Sequence, residues 1–321
     1  MQIRAAVLQE FRRPLVWTTY EIADPQADER VLTVRASGIC GRDRVVARGG
    51  FPNYRPPLIP GHEIFGEVEG QPYSVYPFLH CGTCAYCRIG QENLCTGAGA
   101  IFGETRPGGY ATAVVVPAAS LIPLPDDAYV RYAACTCPVA TSLHAIRISG
   151  ICPGDRALVT GAGGGVGIHM VQVLRQLGVE VVALTSPRKA GVLRSLDVRV
   201  ITEQKKIDPV DVVFEIVGTP TINYSLSVLR RQGTLVWIGN VTGTAPRIAR
   251  PALTIMREHR IVGSAAYTRR EWMQALEWIA TGRVQPFYRT FPLSNVNTAY
   301  RAMDGGEVIG RAVLTADTDT V

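Results

Sequence analysis

The stretch RALVTGAGGGVGIHMVQVLRQL, residues 156–177, decides the fold. Arg156–Thr160 is a short apolar run, and Gly161-Ala162-Gly163-Gly164-Gly165-Val166-Gly167 is a turn of small residues. Val166–Leu177 then carries apolar side chains at helical spacing. A strand that breaks at glycine into a helix opens a β-α-β unit. Working outward, the chain turns at Gly178 and enters a second buried strand, Glu180–Leu184. Strands at Asp211–Phe214 and Thr234–Ile238 alternate with helices at Val192–Leu196 and Thr221–Leu229, and Ser142–Ser149 and Trp272–Ala280 read as further helices. Apolar strands alternating with helices predict a parallel sheet covered on both faces.

The flanking regions have another character. Alternation in Arg4–Leu8 and Val31–Ala36, between Gly and Pro clusters, predicts short antiparallel strands, and the tail from about Arg283 returns to such pieces. Two blocks of one kind around a third imply an inserted domain: a mainly-β domain of residues 1–138 and 283–321, and an α/β domain of residues 139–282. The chain of 321 residues is 47% hydrophobic and 19% charged, a globular composition. Its net charge of +6 is spread along the chain, so no clustered patch for nucleic acid is expected. There is no apolar run of membrane-spanning length and no signal-peptide pattern at Met1–Leu8, so a cytoplasmic protein is expected.

Cys81, Cys84, Cys87 and Cys95 are spaced C-x2-C-x2-C-x7-C. Short spacers let one loop present several thiolates to a tetrahedral zinc, and a four-cysteine site is closed to chemistry, so this zinc is structural. Partly disulfide-bonded cysteines are the alternative, disfavoured in a reducing compartment. Further ligand types are scattered: Cys40, His62-Glu63 and Cys137, with Cys135 a rival to Cys137. Taken singly, each is more often a packed residue; together they match the three ligands a catalytic zinc requires.

Across nearly its whole length the sequence resembles the zinc-containing medium-chain dehydrogenase/reductase family, alcohol dehydrogenase type. The resemblance rests on Cys40-Gly41-x-Asp43, Gly61-His62-Glu63, the four-cysteine lobe, Gly108-Gly109-Tyr110-Ala111, the glycine turn and Ile309-Gly310-Arg311. It implies a GroES-like catalytic domain and a Rossmann cofactor domain with the active site in the cleft between them. It further implies Cys40, His62 and Cys137 as catalytic zinc ligands, Glu63 as an occasional ligand, and Asp43 as the acceptor that orients His62. Cys137 is preferred over Cys135 because its four-residue step to Thr141 matches the family pattern; Cys152 is expected to be a buried small residue. Phe51, Tyr54, Tyr76 and Phe78 fall in stretches that line the family's substrate cleft, or are plain core aromatics.

The glycine turn, between strand and helix, has the context of a dinucleotide fingerprint, with Ala162 where the strict pattern has glycine. Gly239, after the strand Thr234–Ile238, belongs to the same cofactor set. An acid that would accept from a ribose 2′-hydroxyl is replaced by Thr185-Ser186-Pro187-Arg188-Lys189, so NADP(H) is expected over NAD(H). Arg311 is expected near the pyrophosphate. The sequence departs from the family at Arg42, where a serine or threonine usually relays a proton, and at Val45, where a relay histidine often stands. Arg42 is therefore expected to donate hydrogen bonds to a cofactor phosphate or a developing oxyanion. The expected function is interconversion of an alcohol and a ketone or aldehyde, favouring bulky or aromatic carbonyl compounds, in a homodimer or homotetramer. The alternatives are a zinc-free enone or quinone reductase, and a catalytically impaired NADPH- and zinc-binding protein.

Overall fold

A computed structural model describes residues 1–51, 53–97 and 99–317. The chain divides into two compact units, Met1–Cys137 with Thr268–Val321, and Pro138–Tyr267.

In the second unit six strands form one parallel sheet, in the order Arg199–Ile201, Glu180–Leu184, Arg156–Thr160, Val210–Glu215, Leu229–Trp237, Arg260–Gly263. Arg156–Thr160 comes first in the chain yet lies in the middle, and the connections leave it in opposite directions. The gap between it and Val210–Glu215 is thus the switch point, where open parallel sheets take ligands beyond their carboxyl edge. Leu158, Val182, Val213 and Leu235 are fully buried in one core, each contributing roughly 1.5–3 kcal/mol by leaving water. Two strands were not legible in the sequence. Arg199–Ile201 has only three residues, and Arg260–Gly263 is a mostly exposed edge with no apolar period.

The helix expected from Ser142 begins at Tyr129 and runs to Ser149 with Pro138 inside it. Proline interrupts the helical hydrogen bonds and costs about 3 kcal/mol. Ala133, Ala134, Val139 and Ala140 are fully buried, and that packing outweighs the loss.

The first unit is built on a seven-stranded sheet. Its path is Tyr288–Pro292, Arg311–Thr315, Glu29–Ile39, Glu63–Val68, Gln71–Val75, Leu121–Pro123, with Ala113–Pro117 also paired to Glu29–Ile39. Ala312 lies opposite Ile39, and Gly38 opposite Glu63. The register therefore gathers the end of one strand and the starts of its two neighbours, carrying residues 40, 63 and 311 to one edge. Helix Arg269–Ala280 belongs to this unit, whereas the sequence reading kept it in the α/β domain up to residue 282. Trp272 is the cause: it is fully buried, stacks on Phe65 at 6.0 Å, and donates its indole N–H to Ser74 Oγ at 3.2 Å. Among the described residues no helix is long and apolar enough to cross a membrane.

Candidate active site

The four lobe cysteines converge. Cys81 Sγ lies 3.6 Å from Cys95 Sγ and 3.9 Å from Cys87 Sγ, and Cys84 Sγ lies 4.0 Å from Cys95 Sγ. A tetrahedral zinc with sulfur at about 2.3 Å sets its ligands about 3.8 Å apart, so these spacings suit one ion. Backbone N–H groups, first that of Cys87, pull the Cys84 thiol down to about 5, and those of Thr83 and Cys84 pull Cys81 down to about 7. The Ala85–Arg88 turn beside them buries no residue. All eight cysteines are free of disulfides.

A second cluster forms where the strand register brings residues 40 and 63 together. Ligand atoms of Cys40, His62, Glu63 and Cys137 all lie within 4.8 Å of one another. Cys40 follows strand Glu29–Ile39 and stands at the N-cap of helix Gly41–Ala47; its N–H donates to Asp43 Oδ2 at 2.8 Å. The same buried carboxylate accepts from Tyr110 Oη at 2.8 Å and meets His62 Nδ1 at 3.0 Å. With Nδ1 engaged, His62 presents Nε2 to Cys137 Sγ at 3.8 Å and Glu63 Oε1 at 3.7 Å. Gly61 has φ +98°, and a Cβ there would collide with the Tyr110 ring, so the Gly61-His62 and Gly109-Tyr110 segments fit only with glycine at 61. Arg311 pairs with Glu63, but burial outweighs it and pushes the carboxyl up to about 7. The Cys137 thiol, donating to Cys40, holds the Cys40 thiol well below its usual value. Glu63 Oε2 is buried without a partner. Two sulfurs, an imidazole nitrogen fixed by a carboxylate behind it, and an orphaned carboxylate oxygen are the donor set a catalytic zinc takes.

In the second unit the glycine turn sits at the carboxyl edge of the sheet, at the switch point. A Cβ on Gly163 would lie 2.7 Å from both Thr185 Oγ1 and Lys189 Cβ, so those side chains close over the turn. Ala162 fits in place of glycine, fully buried, with its N–H donating to Leu184 at 3.0 Å. Ser186 and Arg188 are exposed on the neighbouring short turn Pro187–Lys189. Gly239 donates to the Glu215 carbonyl at 3.2 Å, bringing it to the same edge. Glu215 itself is completely buried. Its Oε1 accepts from Thr160 Oγ1 (2.8 Å), Thr221 Oγ1 (2.7 Å) and the N–H groups of Val217 (3.0 Å) and Gly218 (2.8 Å). Its Oε2 accepts from Ser225 Oγ.

Residues 26–126 match the family described as Alcohol dehydrogenase GroES-like domain, and residues 165–281 match Zinc-binding dehydrogenase. An acryloyl-coenzyme A reductase of Metallosphaera sedula is 32% identical over 92% of this chain and 95% of its own length. The chain belongs to the zinc-containing medium-chain dehydrogenase/reductase family, alcohol dehydrogenase type. The solved structure of a thermostable alcohol dehydrogenase from Pyrobaculum aerophilum superposes with a TM-score of 0.90 at 29% identity, covering 98% of this chain and 100% of that one. That of an acetophenone reductase from Geotrichum candidum in complex with NAD gives a TM-score of 0.92 at 26% identity, covering 100% and 98%. As a member of this zinc-binding dehydrogenase family, the protein is an oxidoreductase with a nicotinamide cofactor.

Several expectations change within that family frame. Arg42 is engaged by neighbouring side chains. Its guanidinium pairs with Glu104, donates to Tyr54 Oη at 3.0 Å, and lies 4.4 Å from the Phe51 ring centroid. Burial and Glu104 push the Tyr54 hydroxyl up to about 12. Arg311, expected near a pyrophosphate, is 3% exposed and engaged with Glu63. Tyr76 is a core aromatic, 1% exposed and edge-on to Phe78 and Trp272, so it lines no open cleft. Cys135 stays outside the ligand cluster because it and Cys137, two residues apart on one helix, point in different directions. Cys152, expected buried, is exposed in the turn before Arg156. Three partners escaped sequence reading. Nothing local marks Glu104, and the motif around Tyr110 does not reveal its hydrogen bond to Asp43. Glu215 did carry a signal, as an acid closing an apolar strand.

Proposed function

We propose that the protein interconverts an alcohol and a ketone or aldehyde, with NADP(H) as the preferred cofactor and bulky or aromatic carbonyl compounds favoured. The observation that carries this reading is the convergence of Cys40, His62, Glu63 and Cys137 within 4.8 Å. Cys40, His62 and Cys137 would hold the catalytic zinc, with Glu63 as an occasional ligand, and Cys81, Cys84, Cys87 and Cys95 the structural one. Bound there, zinc would supply Lewis acidity for a substrate oxygen and the nicotinamide would supply hydride chemistry. Asp43, accepting from His62 Nδ1, would leave the Nε2 lone pair available to a metal, and Tyr110 and the Cys40 N–H hold Asp43. Arg311 offsets the charge of Glu63.

The glycine turn 161–167 and Gly239 would receive the pyrophosphate region. Thr185, Ser186, Arg188 and Lys189 would receive a 2′-phosphate, which a carboxylate at 185 would repel. The unit Met1–Cys137 with Thr268–Val321 would supply the chemistry and the unit Pro138–Tyr267 the cofactor. A cytoplasmic homodimer or homotetramer is part of the same reading.

The test begins with metal content. Two zincs per chain are expected; Cys137→Ala should lose one together with turnover, while Cys135→Ala keeps both. Loss of zinc from Cys135→Ala instead would overturn the ligand assignment. NADPH should titrate more tightly than NADH, and the difference should shrink with salt; equal affinities would remove the cofactor proposal. A second reading, reduction of an activated carbon–carbon double bond, is favoured by the acryloyl-coenzyme A reductase relative. Product analysis with an aryl ketone and an α,β-unsaturated thioester separates the two.

A further inference from the structure

We propose that a cavity walled by helices Gly41–Ala47 and Val296–Asp304 is a binding site for a phosphate dianion. It has a volume of about 230 Å³ and, among the described residues, is lined by Arg12, Arg13, Arg44 and Arg48, with Tyr300 and one carboxylate, Asp304. The four arginines come from two places. Arg12 and Arg13 follow strand Gln2–Val7, while Arg44 and Arg48 stand one turn apart at the end of the first helix.

Their charge is under-compensated. Asp304 serves Arg44 and Arg48 together, meeting Arg48 Nη2 at 2.8 Å. Arg13 only approaches Glu10, at 3.9 Å, and Arg12 Nε donates to the Arg48 carbonyl at 3.3 Å. Among the described residues, four arginines thus share the cavity lining with one carboxylate. Arg44 Nε is buried with no acceptor, and burial together with the Arg48 charge lowers the Arg44 pKa. Converging cations repel one another, and a doubly charged tetrahedral anion would remove that repulsion. Guanidinium forks match its oxygens in pairs. The dianion could be free inorganic phosphate or the phosphate monoester of a larger molecule; the shared chemistry is the PO₃ face with its two negative charges.

The experiment is thermal unfolding of the metal-loaded protein, titrated with potassium phosphate and separately with glycerol 3-phosphate, at constant ionic strength against potassium chloride. A saturable rise in Tm is expected with phosphate. Glycerol 3-phosphate saturating at the same concentration assigns the site to the dianion alone, and at a lower one to a phosphate ester. Arg48→Gln and Arg12→Gln, both at exposed positions, should raise the half-saturating concentration at least about tenfold. Asp304→Asn, which removes the competing carboxylate, should lower it, and phosphate should restore the Tm lost by that variant. A Tm response no larger than that to chloride would overturn the proposal. So would half-saturation unchanged in the arginine variants, or an Asp304→Asn protein whose Tm phosphate raises no more than it raises that of the native protein.

Discussion

At the scale of single residues, two buried carboxylates organise their surroundings in different ways. Glu215 ties Thr160, the last residue before the glycine turn, to the Val217–Gly218 turn of the next crossover. A glutamine there would set an NH₂ group against at least one of these donors. Hydrogen bonds to a charged acceptor are worth about 1.5–3 kcal/mol, so Glu215→Gln should lower stability by about 2–4 kcal/mol in calorimetric unfolding. It should also weaken cofactor binding, because Thr160 loses its anchor; an unchanged Tm and cofactor Kd would contradict this. Glu104 has a side chain only 1% exposed, and its cation is Arg42, which is 41% exposed. Removing Arg42 leaves a buried charge unpaired, at a cost reduced by the water around the guanidinium. Arg42→Thr should therefore lose about 1–3 kcal/mol, and Arg42→Thr with Glu104→Gln should recover most of it. The double variant is also the fair test of the missing hydroxyl. If position 42 limits proton delivery, its turnover of a small primary alcohol rises relative to a bulky ketone. The sequence showed Arg42 as a departure from the family pattern, but its partner lies 62 residues away and could be found only in the fold.

At the scale of elements, the cysteine lobe and the edge strand hold together for opposite reasons. Residues 81–97 form one short helix and one 3₁₀ turn, neither with a buried side chain, so no apolar core fixes them. In such a segment the binding free energy of the metal is the folding free energy. Cys87→Ala should lose one of two zincs, leave the Cys40–His62–Cys137 metal in place, and open the lobe to proteolysis near Arg88; retained zinc and protease resistance would refute the structural role. Strand Arg260–Gly263 is an open sheet edge, with Ile261 41% exposed, and helix Pro251–Met256 just before it exposes Ile255 and Met256 at 75% each. Unpaired strand edges and exposed apolar side chains are surfaces proteins normally cover. The proposed homo-oligomer should therefore fall toward monomer in Ile255→Glu/Met256→Glu, measured by light scattering after size exclusion, with each unit still folded. A monomeric native protein would remove that proposal.

At the scale of the whole molecule, the sequence by itself determined the class of fold, the lobe and the list of ligand types. These are local facts: a strand, a glycine turn and a helix are contiguous, and so are four cysteines within fifteen residues. Period and spacing act over a few residues and need no knowledge of distant contacts. The convergence of Cys40, His62, Glu63 and Cys137 and the engagement of Arg311 by Glu63 depend on tertiary structure, as do the Arg42–Glu104–Tyr54 cluster and the grouping of four arginines around one cavity. Each joins segments that are remote in the chain, and strand register or helix phase sets which side chains meet. The return of the chain into the first unit at Thr268 has the same origin, because Trp272 finds its place against Phe65 and Ser74. A helical pattern alone states that one face will be buried; which sheet buries it depends on where a matching hydrogen-bond partner and a ring-sized space have formed.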